Sequence, residues 1–187
     1  VTRVTVGNST LSSNQAISGT GGGVWIQGIF PYDATDIRLL NSTITNNSAS
    51  NGGGLYKLDG QLTLTNTLIA ANLTGGDCTL ESSPGAPERY QSGGHNLDSD
   101  GTCLPPAVRQ PSDIPNGNAQ LGPLADNGGT TPTHALLPGS DAIDAGDDAV
   151  CSAAPINGVD QRGTSRPQAA HCDIGAYEAA APASTAT

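Results

Sequence analysis

The sequence predicts an all-β chain folded as a right-handed parallel β-helix, a solenoid whose coils are closed by an irregular C-terminal cap. Three observations predict it: a segment that recurs three times, glycine blocks in register with that segment, and a composition poor in aromatic residues. The recurring segments are Val4 to Asn14 (VTVGNSTLSSN), Ile37 to Asn47 (IRLLNSTITNN) and Leu62 to Asn72 (LTLTNTLIAAN). They are offset by 33 and then 25 residues, within the range of one solenoid coil. Gly21-Gly22-Gly23 and Gly52-Gly53-Gly54 follow the first two, and a shorter Gly75-Gly76 follows the third. Aromatic residues make up 3% and methionine is absent, which suits a narrow core of stacked Val, Leu and Ile.

Each segment opens with alternating apolar residues, Val4/Val6, Ile37/Leu39 and Leu62/Leu64, the pattern of a strand with one buried face. An aliphatic residue follows three positions after the first Asn, at Leu11, Ile44 and Ile69. That change of parity implies a bend near the first Asn. The closing Asn suits a left-handed turn position. Stacking the coils puts Asn8, Asn41 and Asn66 in one amide ladder and Asn14, Asn47 and Asn72 in another. A single coil cannot bury its own apolar face, so the stack is the folding unit.

Taken in order, the chain opens with Val1-Thr2-Arg3 running directly into a strand, without the charged and apolar regions of a signal peptide. An uncapped strand here would expose backbone that invites association, so either earlier coils have been removed or another molecule covers this end. Residues 27–36 (QGIFPYDATD) account for the longer first repeat and are expected to bulge as a loop. Trp25 and Tyr56 hold equivalent places after the glycine blocks. With Val24 and Leu55 inward, both rings would face outward on adjacent coils, as a surface ladder or a platform for sugar rings. Four N-x-Ser/Thr sequons begin at Asn8, Asn41, Asn46 and Asn72; three coincide with ladder positions and are better explained by stacking.

From Cys78 the repeat decays. GGHNLDSDGTC, LGPLADNGGTTPTHALLPGSDAIDAGD, DQRGTSRPQ and CDIGAYE together resemble the choice-of-anchor Q domain, a bacterial cell-surface family in which β-helix coils precede this region and varied anchors follow it. The likeness covers roughly residues 60–178 and departs from the family at Asp141, where Pro is usual. It implies a cell-surface location and a β-helical fold, and brings no catalytic site. The expected organisation is coils over 1–103, the choice-of-anchor Q-like cap over 104–178 and a linker-like tail over 179–187. In an extracytoplasmic setting four cysteines suggest disulfides, with three connectivities available. Cys78–Cys103 and Cys151–Cys172 are the sequence-local choice, each enclosing an irregular stretch and stapling the cap.

Function classes narrow as follows. Seven basic against 17 acidic residues give a formal charge of −10, which argues against nucleic acid and anionic membrane surfaces. No apolar run approaches a membrane span. No cofactor is expected. Asp98-Ser99-Asp100-Gly101 resembles the opening of a calcium loop but lacks the later ligands and the closing Glu, so an Asx-bonded turn is the favoured reading. His95, His134 and His171 are scattered and no CxxC exists, against zinc. Asp141, Asp144, Asp147 and Asp148 read as turn formers, and Arg162 and Arg166 are expected to pair with Asp160, Asp173 or Glu178. A lyase or glycosidase would need a poised base or paired carboxylates. The coils offer Asp33, Asp36 and Asp59 with Arg38 and Lys57, and nothing repeats as a pair. The expectation is a non-enzymatic structural or adhesive surface module that assembles with copies of itself, tail on open coil. A carbohydrate-binding module using Trp25, Tyr56 and the 27–36 loop is the alternative.

Overall fold

The computed structural model describes residues 2–28, 35–85 and 89–181. It is a parallel β-helix whose coils each contribute one strand to each of several sheets. The first coil holds β1 (Thr2–Gly7), β2 (Thr10–Ser12), β3 (Gln15–Thr20) and β4 (Val24–Gln27). The second holds β5 (Thr35–Leu40), β6 (Thr43–Thr45), β7 (Ser48–Asn51) and β8 (Leu55–Leu58). The third holds β9 (Gln61–Thr65), β10 (Leu68–Ala70) and β11 (Cys78–Glu81), and β12 (Tyr90–Ser92) with β13 (Leu97–Asp98) begins a fourth. Sheets run β1-β5-β9-β12, β2-β6-β10-β13-β14 and β4-β8-β11, with β3 beside β7, all parallel. β14 (Ile114–Pro115) adds to β13, so the stacked sheet runs on past the expected boundary at 103.

The register is the one the repeats imply. Val4 aligns with Ile37 and then Leu62, and Leu11 with Ile44 and then Ile69. Leu39, Leu62, Leu64, Ile44 and Ile69 are fully buried in one axial core, with Val6, Leu11 and Ile37 packed against it. Val4, on the outermost coil, stays half exposed. Glycine lets neighbouring coils close at the corner: a Cβ at Gly53 would lie 2.1 Å from the carbonyl oxygen of Thr74.

The bends fall at the first Asn of each segment, as expected, but the left-handed positions differ from expectation. Asn8, Asn41 and Asn66 themselves have φ of 46°, 44° and 49°. At the other end of the segment it is the residue before the closing Asn that turns: Ser13, Asn46 and Ala71, with φ of 60°, 57° and 55°. The closing Asn is thereby left in ordinary backbone with its amide aimed along the stack.

The C-terminal region is irregular and lies along a flank of the stack. It contains the antiparallel hairpin β15 (Leu121–Ala125) and β16 (Thr133–Leu136) and one helical turn, α1 (Asp148–Ser152), capped by Asp147. It runs from the last coils back to the first: Gly175 N–H donates to Asn66 O, Ala176 N–H to Thr43 Oγ1, and Thr10 Oγ1 donates to Gln161 Oε1. Toward the far end Tyr90, Cys103 and Leu104 are buried in the axial core and Val108 packs against it. Cys78 is bonded to Cys103 inside the core and Cys151 to Cys172 in the flank, the two sequence-local pairs.

Candidate functional site

The closing-Asn column is a ladder with a direction. Asn14 donates both its backbone N–H and Nδ2 to Asn47 Oδ1, each at 2.9 Å. Asn47 does the same to Asn72 Oδ1, at 3.0 and 3.1 Å, and Asn72 to Asp77 Oδ1, at 3.2 and 2.8 Å. A second ladder runs Thr67 to Asn96 to Asp113: Thr67 gives only its backbone N–H to Asn96 Oδ1, and Asn96 gives both its N–H and its Nδ2 to Asp113 Oδ1. Both end in Asp, whose carboxylate accepts and cannot donate; Asp77 passes on only its backbone N–H, to Asp100 Oδ2.

The first-Asn column does not form such a ladder. Only Asn66 Nδ2 reaches Asn41 Oδ1, at 3.5 Å. The left-handed backbone turns these amides out of the coil toward the flank. Asn8 Nδ2 donates to Val159 O, Asn66 Nδ2 to Asp147 O, and both Asn41 and Asn66 point Nδ2 at Cys151 Sγ. These three Asn therefore fasten the C-terminal region to the stack.

Trp25 and Tyr56 are neighbours in register, as expected, but they are not an exposed pair. Trp25 is 55% exposed, whereas Tyr56 is buried and its hydroxyl donates to Glu81 Oε2 at 2.9 Å. Burial and the Glu81 charge hold that phenol above its ordinary pKa. Any platform on this face rests on Trp25 alone. Residues 29–34 of the expected loop, Asp33 among them, lie outside the described residues. Lys57, the chain's single lysine, lies fully buried in register with Ile26 and Leu80, and its Nζ donates to Glu81 O.

Asp98 and Asp100 come together with Asp77, one carboxylate oxygen from each lying within 4.8 Å of the others. All six oxygens already accept hydrogen bonds. Asp77 takes Asn72 and Ser99, Asp98 takes the N–H groups of Asp100, Cys103 and Leu104, and Asp100 takes Thr102 and the Asp77 N–H. Burial, with the two neighbouring carboxylates, pushes Asp98 up to about 7. The cluster fixes the turn that carries Cys103, in keeping with the Asx-turn reading.

Compared with protein-family models, curated proteins and solved structures, the chain matches none of them.

The other described charged residues and histidines singled out in the sequence have partners within the fold. Asp36 accepts from Arg3 Nε at 2.8 Å and pairs with Arg38, and these cations, Arg3 first, hold it below its ordinary range. Asp59 accepts from the N–H and hydroxyl of Ser83. Arg166 pairs with Glu178 at 3.0 Å in full burial, and Arg162 pairs with Asp160 while stacking on Tyr177. Asp141, Asp144, Asp147 and Asp148 each accept a backbone N–H, from Asn118, His171, Ala149 and Cys172. The three histidines have separate partners: His95 with Ala145 O, His134 with Gly122 O and Ser12, His171 with Asp148. Asp77 and Asp113 were not legible as ladder ends: Asp77 accepts from Asn72 within the same coil and Asp113 from Asn96, and no repeat sets either spacing. Lys57 was legible: parity in Leu55-Tyr56-Lys57 places it with the inward Leu55.

Proposed function

We propose that this chain is a non-enzymatic extracellular module of a bacterial cell surface, structural or adhesive in role, that joins copies of itself end to end. The observation that carries the reading is the difference between the two ends of the stack. Among the described residues β1, β2 and β4 are edges of their sheets, and the exposed Val4 and Trp25 lie on them. Their outer backbone groups can pair with a further strand, of a preceding coil or of another copy, and this reading takes the copy. At the opposite end the outer strands are β12, β14 and β11; there Tyr90, Cys103 and Leu104 are buried in the core, and β14 carries Pro115, which has no N–H to offer. A contact between unlike ends is heterologous, and stacked along the axis of the coils it would extend as a filament rather than close.

In this reading the 179–187 tail is the segment that docks on a neighbour's first coil. Two disulfides are consistent with an oxidising, non-cytoplasmic compartment, and no helix among the described residues is long and apolar enough to cross a membrane. The likeness to the choice-of-anchor Q domain supports the surface location. Asp36 and Asp59, the described carboxylates weighed for catalysis, are committed to structural partners, which supports a non-enzymatic role. The exposed Trp25 favours a glycan contact as the second reading.

Negative-stain microscopy of the full chain beside a chain ending at Ala179 tests assembly. The cut is placed there because the Ala179 N–H donates to Asp173 Oδ2. Filaments are expected from the full chain and single particles from the shortened one. Single particles from both would end the assembly reading.

A further inference from the structure

A seam runs down the flank where the β2-β6-β10-β13 face meets the C-terminal region. It holds two clefts. The upper one, of about 520 Å³, lies between the first coil and the hairpin, bordered by Asn8, Thr10, Leu124, Thr131, Pro132 and Gln161. The lower one, of about 290 Å³, is bordered by Thr45, Asn46, Ser99, Asn118 and Gln120 over a floor of alanines. His134 divides them: Nδ1 donates to Gly122 O on the lower side at 2.7 Å, and Nε2 lies 2.8 Å from Ser12 Oγ on the upper side.

We propose that this seam binds an uncharged glycan, one sugar in each cleft. Among the described residues no charged side chain lines either cleft, although the chain carries a formal charge of −10. Hydroxyl and amide groups line both walls, able to donate and accept as sugar hydroxyls do. Leu124 and Pro132 supply apolar surface for the C–H face of a ring, and Leu124 is 44% exposed. In the upper wall Thr10 donates to Gln161 Oε1 at 2.6 Å and Gln161 Nε2 donates to Thr131 Oγ1 at 2.9 Å, so the side chains are held in place before a ligand arrives. The acidic surface disfavours uronate or sialylated chains and selects neutral ones. Nothing in this inference depends on end-to-end assembly, since the seam lies along the flank.

The test titrates tetrasaccharides of cellulose, starch, xylan, mannan and chitin type, with tetragalacturonate as the charged control. Calorimetry on the full chain is paired with amide shift mapping by NMR. At least one neutral sugar is expected to bind, shifting the amides of Asn8, Thr10, Gln120 and Gln161, while the uronate does not. Thr10→Val and Gln161→Leu are each expected to weaken binding about tenfold, the worth of one good hydrogen bond. Trp25→Ala, away from the seam, should leave affinity unchanged. Binding by no neutral sugar, shifts centred elsewhere, or loss in Trp25→Ala with both seam variants unaffected would overturn the proposal. Should a seam variant fail to fold, the shift map of the unaltered chain decides.

Discussion

Asn47 joins three coils at once. Its Oδ1 accepts from Asn14, its Nδ2 donates to Leu11 O and to Asn72 Oδ1, and the side chain is fully buried. Asn47→Ala would strand acceptors on both sides, at a cost of about 3 kcal/mol. Asn14, exposed on the outermost coil, donates its amide without receiving a ladder bond among the described residues, so Asn14→Ala should cost about 1 kcal/mol or less. Urea unfolding of both variants checks this, and equal losses would mean that ladder position is immaterial. The contrast also marks what a single residue reveals in sequence. Both Asn columns repeat with the same spacing, yet only the closing column stacks. Which way the amide points depends on which neighbouring residue takes positive φ, a choice that Asn, Ser and Ala make differently in context.

The last element of the flank, residues 158–179, is organised by the Arg166–Glu178 pair. Arg166 also donates to Asp173 O and Gly175 O, and Glu178 accepts the N–H groups of Gln168 and Asp173. Removing one member leaves a buried charge without its counter-ion. Glu178→Ala is therefore expected to destabilise by about 3 kcal/mol. The opening should be local: hydrogen exchange would quicken over 158–179 while β5, β6, β9 and β10 keep their protection. Uniform acceleration across the coils would show instead that flank and stack unfold as one unit. The pairing of these residues was readable from composition, since a buried Arg needs a carboxylate. The flank's long return to the first coil was not, because Thr10–Gln161 and Ser12–His134 join residues more than a hundred positions apart without any repeat to relate them.

Across the whole molecule two sets of carboxylates oppose one another. Burial raises Asp98 to about 7 and Asp173 to about 6, and raises Asp77 and Glu178 in the same direction. For these groups the folded chain holds its protons more tightly than the unfolded chain. Their contribution to stability is present below the unfolded value near 3.8 and is lost as pH rises through about 6 to 7. Asp36, Asp59, Asp100 and Asp148 are held low by hydrogen bonds or ion pairs, so their contribution is lost as pH falls below that same value. Self-repulsion of a chain at −10 adds to the loss at higher pH. The melting temperature is expected to peak at about pH 4 to 5 and to decline toward neutrality. A maximum at pH 7 or above in a scan across this range would overturn that balance.

The sequence by itself determined the stack: coil length, inward aliphatics, corner glycines and the closing-Asn ladder all follow from positions that recur, and recurrence becomes register when identical coils pack. It also marked Trp25 and Tyr56 as neighbours and supplied the two disulfide pairs. Only the tertiary structure decided that Tyr56 is covered, that the first Asn column grips the flank, and that neutral side chains from distant segments meet along one seam. Those outcomes depend on where a non-repeating chain of some sixty residues comes to rest, and nothing periodic in its sequence constrains that path.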